Sequence, residues 1–235
     1  MFQRLIAEAD RAVPGQCAVC HAWPAQALCD GCSARFVRRE PRCERCALPV
    51  PAGVGPCGKC LAEPPPLDAC HAAVPYGYPW SSLVARYKFK GEPGWARVFA
   101  RLMRADERIA HALDQADVVL PMPLARERLA ERGFNQALEL ARLLAPSRTD
   151  PGLLLRIRHT PAQSALDRGA RIANVKDAFA LDPLRAGTVR DRRVVLVDDV
   201  MTSGASLHAA ARVLRAGGAA RIAAVVLART DEPGG

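Results

Sequence analysis

Apolar positions change their rhythm once along this chain, near three consecutive prolines, Pro64-Pro65-Pro66. Downstream of about Asp68, short apolar runs alternate with stretches whose apolar residues recur at helical spacing. Cys70–Tyr76 predicts a strand, and Pro93–Leu113 predicts a helix, with Trp95, Val98, Phe99, Leu102 and Met103 recurring between charges. Asp117–Met122 predicts a buried strand ended by Pro121 and Pro123, and Asn135–Leu144 an amphipathic helix stopped before Pro146. After a polar, Arg-rich stretch come Ala178–Leu181, then Arg193–Val197 as a central strand, Ser203–Ala216 as a helix ending at Gly217-Gly218, and Arg221–Leu227 as a further strand. Strand, helix, strand in this order implies parallel pairing through right-handed crossovers, hence an α/β sheet with helices on both faces. In such sheets ligands bind beyond the carboxyl ends of the strands.

Upstream of the prolines the apolar rhythm is absent and cysteines take its place, at positions 17, 20, 29, 32, 43, 46, 57 and 60. Three prolines hold the chain extended, so a boundary is expected there, giving a module over 1–66 and a larger domain over 67–235. Two residues between cysteines let both sulfurs of a tight turn face one ion, and two such turns complete a tetrahedral four-thiolate zinc site. Cys17/Cys20, Cys29/Cys32, Cys43/Cys46 and Cys57/Cys60 therefore predict two structural zinc ions. Sequential sites make a double zinc ribbon, and an interleaved cross-brace uses the same ligands. Closed four-thiolate sites leave no position for substrate, which assigns this module to scaffolding or partner binding. Cys70, outside the pairs, is expected as a small buried core residue.

Composition narrows the class. In 235 residues, half are hydrophobic and 24% charged, the balance of a globular protein rather than a disordered or membrane one. The longest C-terminal apolar run, Ile222–Ala228, is bounded by Arg221 and Arg229, too short to span a bilayer. Arg4, Glu8, Asp10 and Arg11 interrupt the apolar core that an export signal needs, so a cytoplasmic protein is expected, a setting that also disfavours disulfides. The formal net charge is +9, from 33 Lys+Arg against 24 Asp+Glu. Two four-thiolate zinc sites would each carry about −2 and bring it to about +5. The remaining basic surplus favours anionic ligands without deciding between a phosphate metabolite and nucleic acid.

The most informative segment is Val194-Val195-Leu196-Val197-Asp198-Asp199-Val200-Met201-Thr202-Ser203-Gly204-Ala205-Ser206. Four apolar residues form a buried strand, and two adjacent acids at its carboxyl end need a polar partner. The turn that follows supplies small hydroxyl residues and Gly204 just before a helix, so several backbone N–H groups can converge on one phosphate. This segment resembles the signature of the type I phosphoribosyltransferases. By that resemblance Asp198 and Asp199 hold the ribose 2′ and 3′ hydroxyls of phosphoribosyl pyrophosphate (PRPP), and Thr202, Ser203, Gly204, Ala205 and Ser206 cradle its 5′-phosphate, with magnesium accompanying the pyrophosphate.

Further motifs narrow the family: Pro121-Met122-Pro123-Leu124, then Arg126, Arg128 and Arg132-Gly133-Phe134-Asn135-Gln136, Arg158-His159-Thr160-Pro161-Ala162-Gln163, and Arg168, Arg171 and Asn174 before Ala178-Phe179. Together with the cysteine pairs these look like the ComF family, linked to DNA uptake in natural competence, and the resemblance covers nearly the whole chain. It implies a type I phosphoribosyltransferase-like parallel sheet flanked by helices, with a small N-terminal cysteine-rich zinc module. The loop reads Thr-Ser-Gly-Ala-Ser where Thr-Thr-Gly-x-Thr is commoner, and Ala170 stands where an acid is expected. Arg126 and Arg128 can clamp pyrophosphate bidentately, or serve as solvent-facing helix charges. Residues 156–174 suit a lid over an anionic substrate, or a solvated loop; His159 is expected as a stacking or exposed ring rather than a base. Lys88 and Lys90 are candidates to face phosphate or solvent.

Two function classes follow. One is a magnesium- and PRPP-dependent phosphoribosyltransferase, a pentosyl-transferring glycosyltransferase, with Asp198, Asp199, Arg126 and Arg128 at the reacting centre and an acceptor the sequence does not reveal. Position 2 is Phe2 rather than a cysteine, so a glutamine-dependent amidophosphoribosyltransferase of the usual kind is not expected. The other is a PRPP-sensing adaptor that binds single-stranded DNA or a competence helicase without turnover.

Overall fold

The computed structural model describes residues 15–157 and 177–231. The chain forms two compact units, Met1–Arg39 and Glu40–Gly235. Packing thus divides the chain earlier than composition does, and the second set of cysteines belongs to the same unit as the sheet.

In the smaller unit, Gly15 and Ala25 exchange backbone hydrogen bonds of 3.1 and 2.7 Å, and α1 (Asp30–Phe36) follows with Cys29 as its N-cap. Its buried side chains include Cys17, Leu28 and Cys32. Among the described residues of this unit, so few buried apolar groups make almost no core.

The larger unit begins with the second cysteine segment and its short helix α2 (Gly58–Ala62). Its sheet has the order β1 (Ala69–Pro75), β6 (Arg221–Arg229), β5 (Arg193–Met201), β2 (Val118–Pro121), parallel throughout. A separate antiparallel ladder joins β3 (Leu154–Arg156) to β4 (Phe179–Leu181). The central strands are buried on both faces, β6 from Ile222 to Arg229 without interruption, the pattern a covered parallel sheet requires. Val194, Leu196, Ile222, Ala224 and Val226 share one cluster with Leu207, Ala210, Ala211 and Leu214 of α8 (Ala205–Ala216). The same cluster takes in Cys43, Cys46 and Cys60. Also in contact with the sheet are α4 (Trp95–Arg104), α5 (Glu107–Asp114) and α7 (Gln136–Leu144). Each large side chain that α4 buries, Trp95, Val98, Phe99 and Met103, contributes about 2 kcal/mol.

Two expectations change in detail. The helix expected over 93–113 is two helices, because the Asp106 carboxylate accepts from Arg108 N–H at 2.9 Å and Ile109 N–H at 3.2 Å and starts a new one. The strand expected to end at Val197 runs to Met201 and carries both acids within it. Two further helices are present, α3 (Trp80–Phe89) and α6 (Arg126–Arg132). The second buries no side chain, so it offers no apolar stripe for a sequence pattern to register. Among the described residues no helix is long and apolar enough to cross a membrane.

Candidate functional site

The site starts where one strand stops before its neighbour. β2 pairs with β5 only as far as Pro121 against Val197, and Met122 N–H then donates to Val197 O at 2.9 Å. β5 continues along β6 to Met201 against Arg229. Asp198 and Asp199 therefore lie in a strand whose β2 side is open, at the carboxyl edge of a parallel sheet. Asp199 is buried, 6% exposed, and Asp198 is partly exposed. Asp198 Oδ1 accepts the Asp199 N–H at 2.9 Å. Burial first, and the adjacent Asp199 charge second, push the Asp198 carboxyl up to about 7.

Cations surround the acids. Lys88, near the end of α3, places Nζ 2.8 Å from Asp199 Oδ1. Arg132, at the end of α6, is held below its ordinary pKa by burial and raised by the Asp199 charge. Its guanidinium lies 4.9 Å from the centroid of the exposed Phe89 ring and donates to Gln136 Oε1 at 3.0 Å. Asn135 ties this corner down: Nδ2 donates to Met122 O at 3.1 Å, while Oδ1 caps α7 through Ala137 N–H at 3.0 Å. Tyr87 Oη donates to Gln136 O at 2.9 Å. Arg132 Nε, Gln136 Nε2 and His208 Nε2 are buried and lack a hydrogen-bond partner among the described residues.

Beyond β5 the chain turns through Thr202 and Ser203 to Gly204, which has φ +78° and precedes α8. A Cβ at Gly204 would stand 2.5 Å from Met201 Cε and 3.0 Å from His208 Nε2, so glycine is required by both backbone angle and space. Thr202 is exposed, and Ser203 and Ser206 are half-buried. The Ala205 N–H donates to Ser203 Oγ at 3.4 Å, and the loop leads directly into the N-terminal, positive end of a twelve-residue helix. Beneath the loop, burial and the charges of Arg212, Arg229 and Lys59 lower the His208 pKa to about 4, so the ring is neutral.

The loop is also fixed from behind. Arg229, 3% exposed, donates from Nη1 to Met201 O at 3.2 Å, Thr202 O at 2.5 Å and Thr230 O at 2.5 Å. Its Nε donates to Cys46 O at 2.8 Å.

The cysteines gather in sequential sets. Cys17, Cys20, Cys29 and Cys32 bring their sulfurs within 4.8 Å of one another, and so do Cys43, Cys46, Cys57 and Cys60. This is the ribbon arrangement rather than the cross-brace. In each set the third cysteine caps a short helix and sends its N–H to the sulfur of the first: Cys29 to Cys17 at 3.5 Å, Cys57 to Cys43 at 3.2 Å. Burial opposes ionisation, but such backbone donors outweigh it and hold the Cys17 thiol at about 6 and Cys43 at about 7. Burial pushes the Cys46 thiol up to about 11. Four sulfurs at this spacing, partly ready to ionise, fit a structural zinc ion.

The residues anticipated from sequence therefore meet in part. Asp198, Asp199 and Thr202–Ser206 form one edge, and Lys88 joins it as a partner of Asp199 rather than as a group free for phosphate. Arg126 is exposed on α6; Arg128 is half-buried, close enough to Arg132 and Arg156 to lower their pKa values. Arg158, His159, Arg168, Ala170, Arg171 and Asn174 lie outside the described residues. Arg229 has no role assigned from sequence alone, although an arginine directly ending the apolar run Ile222–Ala228 is visible there.

The fold and site define a phosphoribosyltransferase-type domain joined to a double zinc ribbon. Residues 137–234 match the phosphoribosyl transferase domain and residues 9–61 the double zinc ribbon domain. The chain is 32% identical over 229 residues to the DNA utilization protein YhgH of Escherichia coli K12, covering 93% of this chain and 98% of that protein. It is 33% identical over 208 residues to Competence protein F of Haemophilus influenzae, 86% of this chain and 90% of that one. Competence protein ComFC of Streptococcus pneumoniae shares 26% over 216 residues, 86% and 87% of the two chains. The chain belongs to the ComF family.

Proposed function

We propose that the protein binds PRPP with magnesium at the carboxyl edge of β5 and transfers its phosphoribosyl group to an acceptor. The observation that carries this reading is the juxtaposition of the acid pair with a glycine turn that only glycine fits, at a helix N-terminus. Asp198 and Asp199 would accept from the ribose hydroxyls, and the N–H groups of Thr202–Ser206 would take the 5′-phosphate. Magnesium, when bound with PRPP, would supply charge neutralisation at the leaving pyrophosphate. In the transfer the bond from C1 to pyrophosphate breaks with its electron pair on the leaving group, the acceptor forms a bond to C1, and its proton passes to solvent. Arg128 and Arg132, and Arg126 if its exposed side chain turns in, would stabilise the leaving charge. Lys88 must yield the Asp199 carboxylate, or share it, as the sugar arrives.

A second reading is a PRPP-sensing adaptor without turnover, which binds single-stranded DNA or a helicase of a DNA-uptake machine. The relatives' names support it, since they record DNA utilization and competence. Both readings place the protein in the cytoplasm, where thiolate zinc sites persist.

Calorimetric titration with PRPP, with and without magnesium, tests the site. Magnesium-dependent binding that disappears in Asp198→Asn/Asp199→Asn is expected; absence of binding by folded, metal-loaded protein would refute it. Pyrophosphate release on screening acceptors then separates the two readings. Full DNA uptake by cells carrying the double Asn variant would count against the enzyme.

A further inference from the structure

The buried arginine at the end of β6 joins two features that the sequence keeps apart. Its guanidinium stands between Cys46 O, in the knuckle of the second cysteine set, and the carbonyls of Met201 and Thr202, which open the candidate phosphate loop. A guanidinium is rigid and planar, so donors on its Nε and Nη1 fix both sets of acceptors relative to one another. The same contact zone is closed by Cys70, whose N–H donates to Glu44 O at 2.7 Å and whose sulfur lies 3.4 Å from Met201 Sδ. Thr230 N–H completes it with a 3.1 Å bond to Met201 O. Cys43, Cys46, Cys70, Met201 and Leu207 belong to one buried cluster, which transmits displacement because a packed interior does not flow.

We propose that Arg229 is a positioning residue that makes the second cysteine set part of the sugar-phosphate site: with Cys43, Cys46, Cys57 and Cys60 closed on a metal ion, Cys46 O holds the guanidinium that aims the loop Thr202–Ser206. Four metal-bound thiolates carry a net charge of about −2, which also complements this buried cation. Without the metal the knuckle at Cys43–Cys46 loses its reason to stay closed, Cys46 O moves, and the loop loosens. The metal at this set thus acts on ligand affinity while remaining out of reach of the ligand. The inference rests on the phosphate-loop reading for its consequence, and on the hydrogen bonds alone for the tie itself.

Hydrogen exchange of the amides in 202–206, on the full metal-loaded chain and without ligand, tests the tie. Cys57→Ser, with metal content measured in parallel, is expected to release one ion and raise loop exchange about tenfold. Cys29→Ser is expected to release the other ion and leave loop exchange at its starting rate. Because Cys57→Ser can unfold the unit, Arg229→Lys is measured as well: it keeps the charge and all eight ligands but cannot span both carbonyl groups. Its expected signature is two retained ions with loop exchange again faster by about tenfold and weaker PRPP binding. Unchanged exchange in a folded Arg229→Lys protein, or equal effects of Cys29→Ser and Cys57→Ser, would overturn the proposal. Wild-type protein that fails to bind PRPP would sink the phosphate reading while the exchange comparison still decides the tie.

Discussion

The two cysteine sets are local copies of each other with opposite surroundings. Each begins with a knuckle closed by a residue of positive φ, His21 at 60° and Ala47 at 57°. Each places its third cysteine at a helix N-cap with its N–H on the first sulfur. Yet the described residues around the first set bury few apolar side chains, Leu28 beside Cys17 and Cys32, whereas the second is sunk into the core of the sheet unit. The same pair of Cys-x-x-Cys knuckles, eight residues apart in the first set and ten in the second, therefore specifies an ion site without specifying what the ion holds. In the first copy the metal would hold described residues that bury little else; in the second it would add to a core and reach, through Arg229, the loop where a phosphate would bind.

Substituting a ligand from each set is the strongest way to break this contrast. Cys43→Ser should lower the melting temperature of the sheet unit by about 10 °C, the scale of a loss of about 3 kcal/mol in a unit of this size. Cys17→Ser should leave that transition in place, and equal shifts by calorimetry would erase the distinction. Next in size is Lys88→Met, which leaves the buried Asp199 carboxylate without its ammonium and should cost about 2 to 3 kcal/mol in denaturant melts. It asks whether the acid edge is held by its own ion pair independently of the knuckle. Gly204→Ala should cost about 2 kcal/mol, since it strains a left-handed residue and presses the His208 ring, and PRPP binding should be lost with both metals retained.

The smallest expected effect is on pH dependence. The folded pKa of Asp198, about 7, lies above its ordinary 3.8, so folding takes up a proton between these values. Its contribution to stability accordingly falls as pH rises toward about 7. A ligand that needs the carboxylate behaves in the opposite sense: affinity for PRPP should rise about tenfold between about pH 6 and pH 8, with proton release. Asp198→Asn should flatten that profile, and a persistent slope would assign it elsewhere.

Much of the architecture was legible because its signals are local and periodic. Val194–Val197 read as a strand, Gly204 as the turn, Asn135–Leu144 as a helix and the cysteine pairs as ion sites, each from neighbours within a few residues. The break at Asp106 passed unseen because a capping aspartate inside a helical rhythm looks like any solvent-facing charge. α6 passed unseen because it buries nothing. The partner of Lys88 and the role of Arg229 depend on residues more than a hundred positions distant or on carbonyl groups, which carry no side-chain signature.

The sequence by itself determined the four strands of the parallel sheet, the helices after β2 and β5 that begin near Asn135 and Gly204, the eight thiols in four pairs, and the acid pair with its glycine turn, since periodicity, ligand spacing and backbone freedom are properties of short segments. Only the tertiary structure decided that the thiols group sequentially, that β2 stops short and opens the acids to the carboxyl edge, and that the second knuckle joins the sheet. Those outcomes follow from which surfaces bury one another and which buried charges find acceptors, and both are settled between segments distant in the chain.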